Sequence, residues 1–382
     1  LTIDEPMTTA AATPRNHGLD TLRAIAIVLV MLHHYVLFVS YGDTFGWVGK
    51  IGWVGVDLFF ALSGYLIGNQ IFQGLRSRSA FSLPRFYARR LLRTLPNFYV
   101  VLALYYLWPW FRGDLPLLPV WQFLTFTQNI NLMPGTAFSH AWSLCIEEQF
   151  YLLLPALALF IAGRARSLRS AWVAIATAFV VGMVVRHTVW NELVGSERGG
   201  VDYFRYIYYS TFCRFDELVA GVALALVRNY HPRAWRRMTG HGNLALAAGI
   251  LVSGFAFWLF LGNRFGLYVN VLGFPLLALG FGLLILSALS RDSVLRSARV
   301  PGAAQLALWS YALYVTHKQV CILASGPLER LGYGPETAMA VAAGMGLSLL
   351  AGWLLYRLVE YPFMRLRARW VPTNFKTPVR PR

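Results

Sequence analysis

Long apolar runs alternate with short basic or glycine-rich connections along the whole 382-residue chain. A helix needs about 20 apolar residues to cross the hydrocarbon core of a bilayer. Ten stretches meet that need, at about 19–40, 51–73, 91–111, 141–162, 171–190, 206–227, 243–261, 267–289, 303–325 and 337–359. A weaker apolar stretch near 117–130 reads as a re-entrant or interfacial piece. The pattern predicts an all-α, polytopic helical membrane protein of about ten spans. Residues 1–16 read as a disordered tail, 17–363 as the membrane domain and 364–382 as a basic cytoplasmic tail, with no large soluble domain at either end.

Composition agrees: 57% of the residues are hydrophobic and only 13% are charged, too few for a soluble domain. The formal charge of +17 raises nucleic acid as a partner. Its distribution argues for membrane topology instead. The connections after spans two, four, six and eight, with the C-terminal tail and with Arg93 at the edge of span three, hold 22 Lys or Arg. The opposite connections hold seven: Lys50, Arg112, Arg186, Arg198, Arg205, Arg264 and Arg330. That asymmetry predicts both termini in the cytoplasm. Cys145, Cys213 and Cys321 lie far apart in apolar surroundings without metal-ligand spacing, so neither a disulfide framework nor a metal is expected.

Several spans carry polar groups that lipid does not tolerate. The first, GLDTLRAIAIVLVMLHHY at 18–35, has Arg23 near its start and His33–His34 near its end. Arg23 and His34 return to within about 20° of one helix face, about 16 Å apart along the axis. Such a face suits a tunnel that grips an anion at one end and does chemistry at the other. Span two places Asp57 and Ser63 behind Gly46, Gly49, Gly52 and Gly55, a spacing that reads as close helix packing. The densest basic cluster follows, with Arg76, Arg78, Arg85, Arg89, Arg90 and Arg93. Arg90 and Arg93 share a face, a cradle for phosphates.

Span four opens with Trp142 and Ser143 and then holds Glu147–Glu148, which point about 100° apart, so only one is expected to face a cavity. In span six, Arg214, Asp216 and Glu217 read as a local ion-pair knot. Ser310, Tyr314 and His317 form a polar stripe on span nine. Each buried ionisable group costs about 2.5–3.5 kcal/mol at the bilayer centre. Asp57, Glu147, Arg214 and Glu217 together would cost on the order of 10 kcal/mol unpaired. A hydrated interior site explains their presence.

Arg23–His34, GVDLFFALSGYLI at 55–67, RRLLR at 89–93, WSLCIEEQFYLL at 142–153, RFDELVAG at 214–221 and SYALYVTH at 310–317 occur in one order along nearly the whole chain. In this the chain resembles the acyltransferase family 3 membrane proteins. The resemblance implies a bacterial inner-membrane protein of about ten spans. It also implies transfer of an acyl group, most often acetyl, from a coenzyme A thioester to a hydroxyl. The acceptors it implies are glycans, lipid-linked sugars and glycosylated natural products. It assigns the catalytic histidine to His34 with Arg23 as its partner, the arginine pair to Arg90 and Arg93, and the span-four glutamate to Glu147. Many such relatives carry a fused extracytoplasmic hydrolase-like domain.

The residue chemistry is consistent with that activity. Arg90, Arg93 and Arg23 would hold the donor's phosphates or its pantetheine arm, and His34 would take a proton from the acceptor hydroxyl. Glu147 or Asp57 would fix the imidazole tautomer. Ser63, Ser143 and Tyr314 are candidates for an acyl-enzyme, and transfer is direct otherwise. The competing class is a proton-coupled secondary transporter built on the same His, Glu and Arg groups. The sequence lacks the internal repeat and matched broken helices of that class.

Overall fold

The computed structural model describes residues 15–76, 81–164, 167–195 and 199–374. Among them the chain is helical throughout, without strands. Ten long helices follow one another: α1 (His17–Tyr35), α2 (Val54–Arg76), α3 (Leu83–Leu107), α4 (Trp142–Arg164), α5 (Leu168–Val189), α6 (Asp216–Tyr230), α7 (Gly242–Asn263), α8 (Leu267–Leu289), α9 (Ala303–Arg330) and α10 (Ala338–Leu355). Seven helical stretches are long and apolar enough to cross a membrane; they contain α1, α2, α4, α5, α7, α8 and α10. The chain is a multi-pass membrane protein.

α3, α6 and α9 fall outside that set for a physical reason. They carry the arginines, acids and buried polar groups that the other helices enclose. α6 is also short. Its 15 residues rise only about 22 Å, less than the roughly 30 Å core. The expected span at 206–227 is therefore broken: Phe204–Tyr208 is a π-helical turn, Thr211–Cys213 a 3₁₀ turn, and the helix begins at Asp216. Side chains satisfy the freed carbonyls. Arg214 donates to Tyr208 O at 3.2 Å, Arg186 to Cys213 O at 2.9 Å and Asn129 to Tyr209 O at 3.1 Å. Irregular backbone at membrane depth is tolerated only with such internal partners. The stretch 117–130 holds one short helix, Val120–Leu124, and otherwise turns.

Around the bundle, α10 packs on α9, α9 on α1, α1 on α2, α2 on α6, α6 on α8 and α8 on α7. Glycine permits two of these approaches. A Cβ at Gly55 would stand 2.3 Å from Ala26 O on α1, and one at Gly64 would stand 2.0 Å from Leu218 O on α6. Gly46 differs from its neighbours in the expected packing series: it sits at φ +54° with open space around it, a turn rather than a contact. α5 lies outermost, with Val173, Val180, Val181 and Val184 all exposed to the lipid side.

Asn16, assigned to the tail, caps α1 by accepting from Leu19 N–H at 3.1 Å; residues 1–14 lie outside the described residues. At the other end a helix runs over Tyr361–Trp370, across the expected boundary at 364. Residues 375–382, Arg78, Arg166 and Arg198 also lie outside the described residues.

Candidate active site

A cavity of about 220 Å³ opens between α1, α2, α3, α4 and α9. Arg23, Ser63, Arg90, Arg93, Glu147, Glu148, Ser143, Ser310 and Tyr314 all line it. Five helices thus bring together the first-span arginine, the arginine pair, the span-four acids and Ser310 and Tyr314 of the span-nine stripe. The guanidinium of Arg90 lies over the Tyr151 ring at 4.8 Å, and Tyr151 OH donates to Glu147 at 2.5 Å. Both glutamates face the cavity, contrary to the expectation of one. Three arginines against two glutamates leave the space with a net positive wall.

Tyr314 joins this cavity to a cluster of imidazoles. Its hydroxyl donates to His140 O at 2.7 Å, so its single proton is committed there. Ser143 Oγ, 2.5 Å away, therefore donates to Tyr314. The Tyr314 ring lies 5.8 Å from His140 and 6.2 Å from His317.

The rings of His34 and His317 lie almost parallel, with centres 4.9 Å apart and an interplanar angle of 3°. His34 Nδ1 lies 2.8 Å from His317 Nε2, and His317 Nδ1 lies 2.8 Å from Leu313 O. A carbonyl only accepts, so His317 Nδ1 carries the proton and its Nε2 is the acceptor. His34 consequently donates through Nδ1, which leaves a lone pair on its Nε2. The network sets the tautomer that a general base needs. His34 is half-buried. His33, by contrast, is buried and bound to Gly49 O at 2.8 Å.

The carboxylates do not orient His34. Asp57 is fully buried and pairs with Arg214 at 2.5 Å on the far side of α2. Trp142 belongs with that pair, its ring 5.2 Å from the Arg214 guanidinium and tilted against Tyr208 and Tyr209 at 4.8 and 5.5 Å. Arg186, counted among the connections, is buried and binds Asp216 through two contacts of 2.5 and 2.9 Å. Asp216 and Arg214 are thus cross-helix ties rather than a local knot. Charges this deep require such partners. Glu217, by contrast, is fully buried with neither carboxyl oxygen partnered among the described residues. Of the acyl-enzyme candidates Ser63, Ser143 and Tyr314, none hydrogen-bonds an imidazole among the described residues.

Sequence reasoning passed over His140 and Lys318. Both stand beside motifs already singled out, in SHAWS and VTHKQ, and their proximity to His34 arises only from packing. His140 is buried, its ring centre 5.8 Å from that of His34, and neither ring nitrogen has a partner among the described residues.

A family model described as "Acyltransferase domain" matches residues 16–357. The chain is 30% identical over 227 residues to the peptidoglycan O-acetyltransferase OatA of Listeria monocytogenes, a match covering 55% of this chain and 33% of that protein. It is likewise 30% identical over 225 residues to the putative peptidoglycan O-acetyltransferase YrhL of Bacillus subtilis, covering 55% and 33%. The O-acetyltransferase OatA of Staphylococcus aureus is 27% identical over 261 residues, covering 63% and 39%. The chain thus spans a third to two-fifths of the length of these curated relatives. No solved structure matches it.

Proposed function

Because the chain belongs to the acyltransferase family whose model covers residues 16–357, we propose that it is an integral membrane O-acyltransferase. The donor is an acyl-CoA, most simply acetyl-CoA, and the acceptor a hydroxyl of a glycan, lipid-linked sugar or glycosylated natural product. In this reading the chain crosses the membrane ten times, the sixth crossing made by α6 together with the broken segment before it, and both termini are cytoplasmic.

The observation that carries the reading is the first helix. Arg23 lines the arginine-walled cavity, and His34, eleven residues on, belongs to the imidazole pair. α1 is unbroken between them, which sets the two ends about 16 Å apart. The cavity is smaller than the roughly 300–1,000 Å³ that encloses a whole ligand. It suits phosphates or one slender arm of the donor, held by Arg90, Arg93 and Arg23.

His34 Nε2 then takes the proton of the acceptor hydroxyl. The acceptor oxygen attacks the thioester carbonyl, the carbon–sulfur bond breaks, and its electron pair leaves on sulfur. The imidazolium returns its proton to the thiolate, leaving an ester and free CoA. His317, accepting from His34 Nδ1, does the work a carboxylate does in a triad: it holds the tautomer and shares the developing charge. Transfer is direct, in keeping with hydroxyls that touch no imidazole.

Membranes containing the protein, given acetyl-CoA labelled in its acetyl group, are expected to label a glycan or glycolipid in an alkali-labile ester. Label that stays in the donor pool, while the same membranes move a solute against a proton gradient, would replace this reading with transport.

A further inference from the structure

We propose that Lys318 is the acceptor-specificity residue: it receives an anionic group, a carboxylate or a phosphate, carried by the acceptor near the hydroxyl that is acylated. The proposal rests on the acyl-transfer reading and deepens it.

Three cationic side chains are buried among the described residues: Arg186, Arg214 and Lys318. The first two are each paired with an aspartate. Lys318, 2% exposed, has no carboxylate at ion-pair distance among the described residues. Its ammonium donates to Ser139 Oγ at 3.1 Å and sits 4.1 Å from the centre of the Phe38 ring. A neutral hydroxyl and an aromatic face do not replace the hydration of a buried cation. The fold elsewhere pairs such charges within the protein, so the missing counter-charge here is one that a ligand brings.

Position decides which ligand. Ser310 and Tyr314 of α9 face the arginine-lined cavity, and Lys318 follows one residue after His317, about 12 Å beyond Ser310 along the helix. Its neighbours Phe38 and Ser139 come from the turn after α1 and the lead into α4, at the end of α1 remote from Arg23. The donor's phosphates have three arginines at the other end. The anion at Lys318 therefore belongs to the acceptor. His140, with both ring nitrogens unpartnered among the described residues and its ring 6.0 Å from His317, would offer the acceptor a further polar contact.

The test uses purified full-length protein, labelled acetyl-CoA and three acceptors that differ only at one carbon: 4-nitrophenyl β-glucoside, the corresponding glucuronide and the 6-phosphate. For the wild type, kcat/KM for the glucuronide or the phosphate should exceed that for the glucoside about ten- to a hundredfold, the size of a charge-assisted contact. Which of the two leads identifies the anion. Lys318→Met should bring that ratio towards one, and Lys318→Arg should retain most of it. Lys318→Gln repeats the test with a second neutral side chain, so the result does not hang on the folding of one variant. A wild-type ratio near one, or a preference that survives both neutral variants, would overturn the proposal. So would equal loss on all three acceptors, which would make Lys318 part of the transfer step. Transfer to none of the three by the wild type, while its membranes still label a glycan from acetyl-CoA, would overturn the proposal alone; label on neither would overturn the acyl-transfer reading with it.

Discussion

At the scale of single residues, two adjacent histidines of one helix have been given different work. His33 spends its Nδ1 on Gly49 O inside the protein, whereas His34 meets His317 and keeps Nε2 free. His34→Ala should lower transfer about 10²- to 10⁴-fold, the range of a general base, without loss of membrane-inserted protein. His33→Ala should keep most of the activity, and His317→Ala should fall between them. Turnover of purified variants on labelled donor checks the order; the reverse order for the neighbouring pair would unseat the assignment. Helix periodicity alone separates His34 from His33, because only residue 34 returns to the face of Arg23. The orienting partner was not readable that way. Asp57 and Glu147 are acids within spans, but their neighbours come from the broken segment before α6 and from α3, and no local pattern records which helix packs on which.

Among the elements, α2 joins two neighbours that differ in kind. Its Gly55 meets the backbone of α1, while Asp57 ties it to Arg214 before α6. Removing that carboxylate strands a fully buried guanidinium, and Asp57→Ala should cost about 3–5 kcal/mol. Thermal unfolding of detergent-purified protein measures it; an unchanged midpoint would mean that Arg214 finds another acceptor. α3 contributes differently, through two side chains one turn apart on the cavity wall. Arg90→Ala and Arg93→Ala should each raise KM for the donor about ten- to a hundredfold with a smaller effect on kcat. Unchanged donor kinetics in both would reduce the pair to membrane anchors. The long apolar helices were readable from hydropathy because lipid imposes one simple rule on them. The broken segment before α6 was not, since its carbonyls are satisfied by Arg186 and Asn129 from distant parts of the chain.

For the whole molecule, the charge asymmetry makes a claim about sides. Cysteines introduced at Arg233 and Arg369 should react with a membrane-impermeant maleimide only in inverted vesicles, and one at Asp114 only in intact spheroplasts. The native background is low, because Cys145, Cys213 and Cys321 are all buried. Labelling of the first two from outside would turn the protein over and move the arginine cavity away from cytoplasmic CoA. The unbroken first helix carries a last consequence. On the acyl-CoA reading proposed above, with Arg23 at one level and His34 about 16 Å further on, the protein would work as a ruler as well as a receptor. A thioester whose carbonyl lies too near its anionic end will be gripped and yet fall short of the imidazole. A small thioester with no anionic end can reach His34 but will not be retained. Affinity and reactivity are thereby set by different parts of one donor, and shortening that donor should separate them.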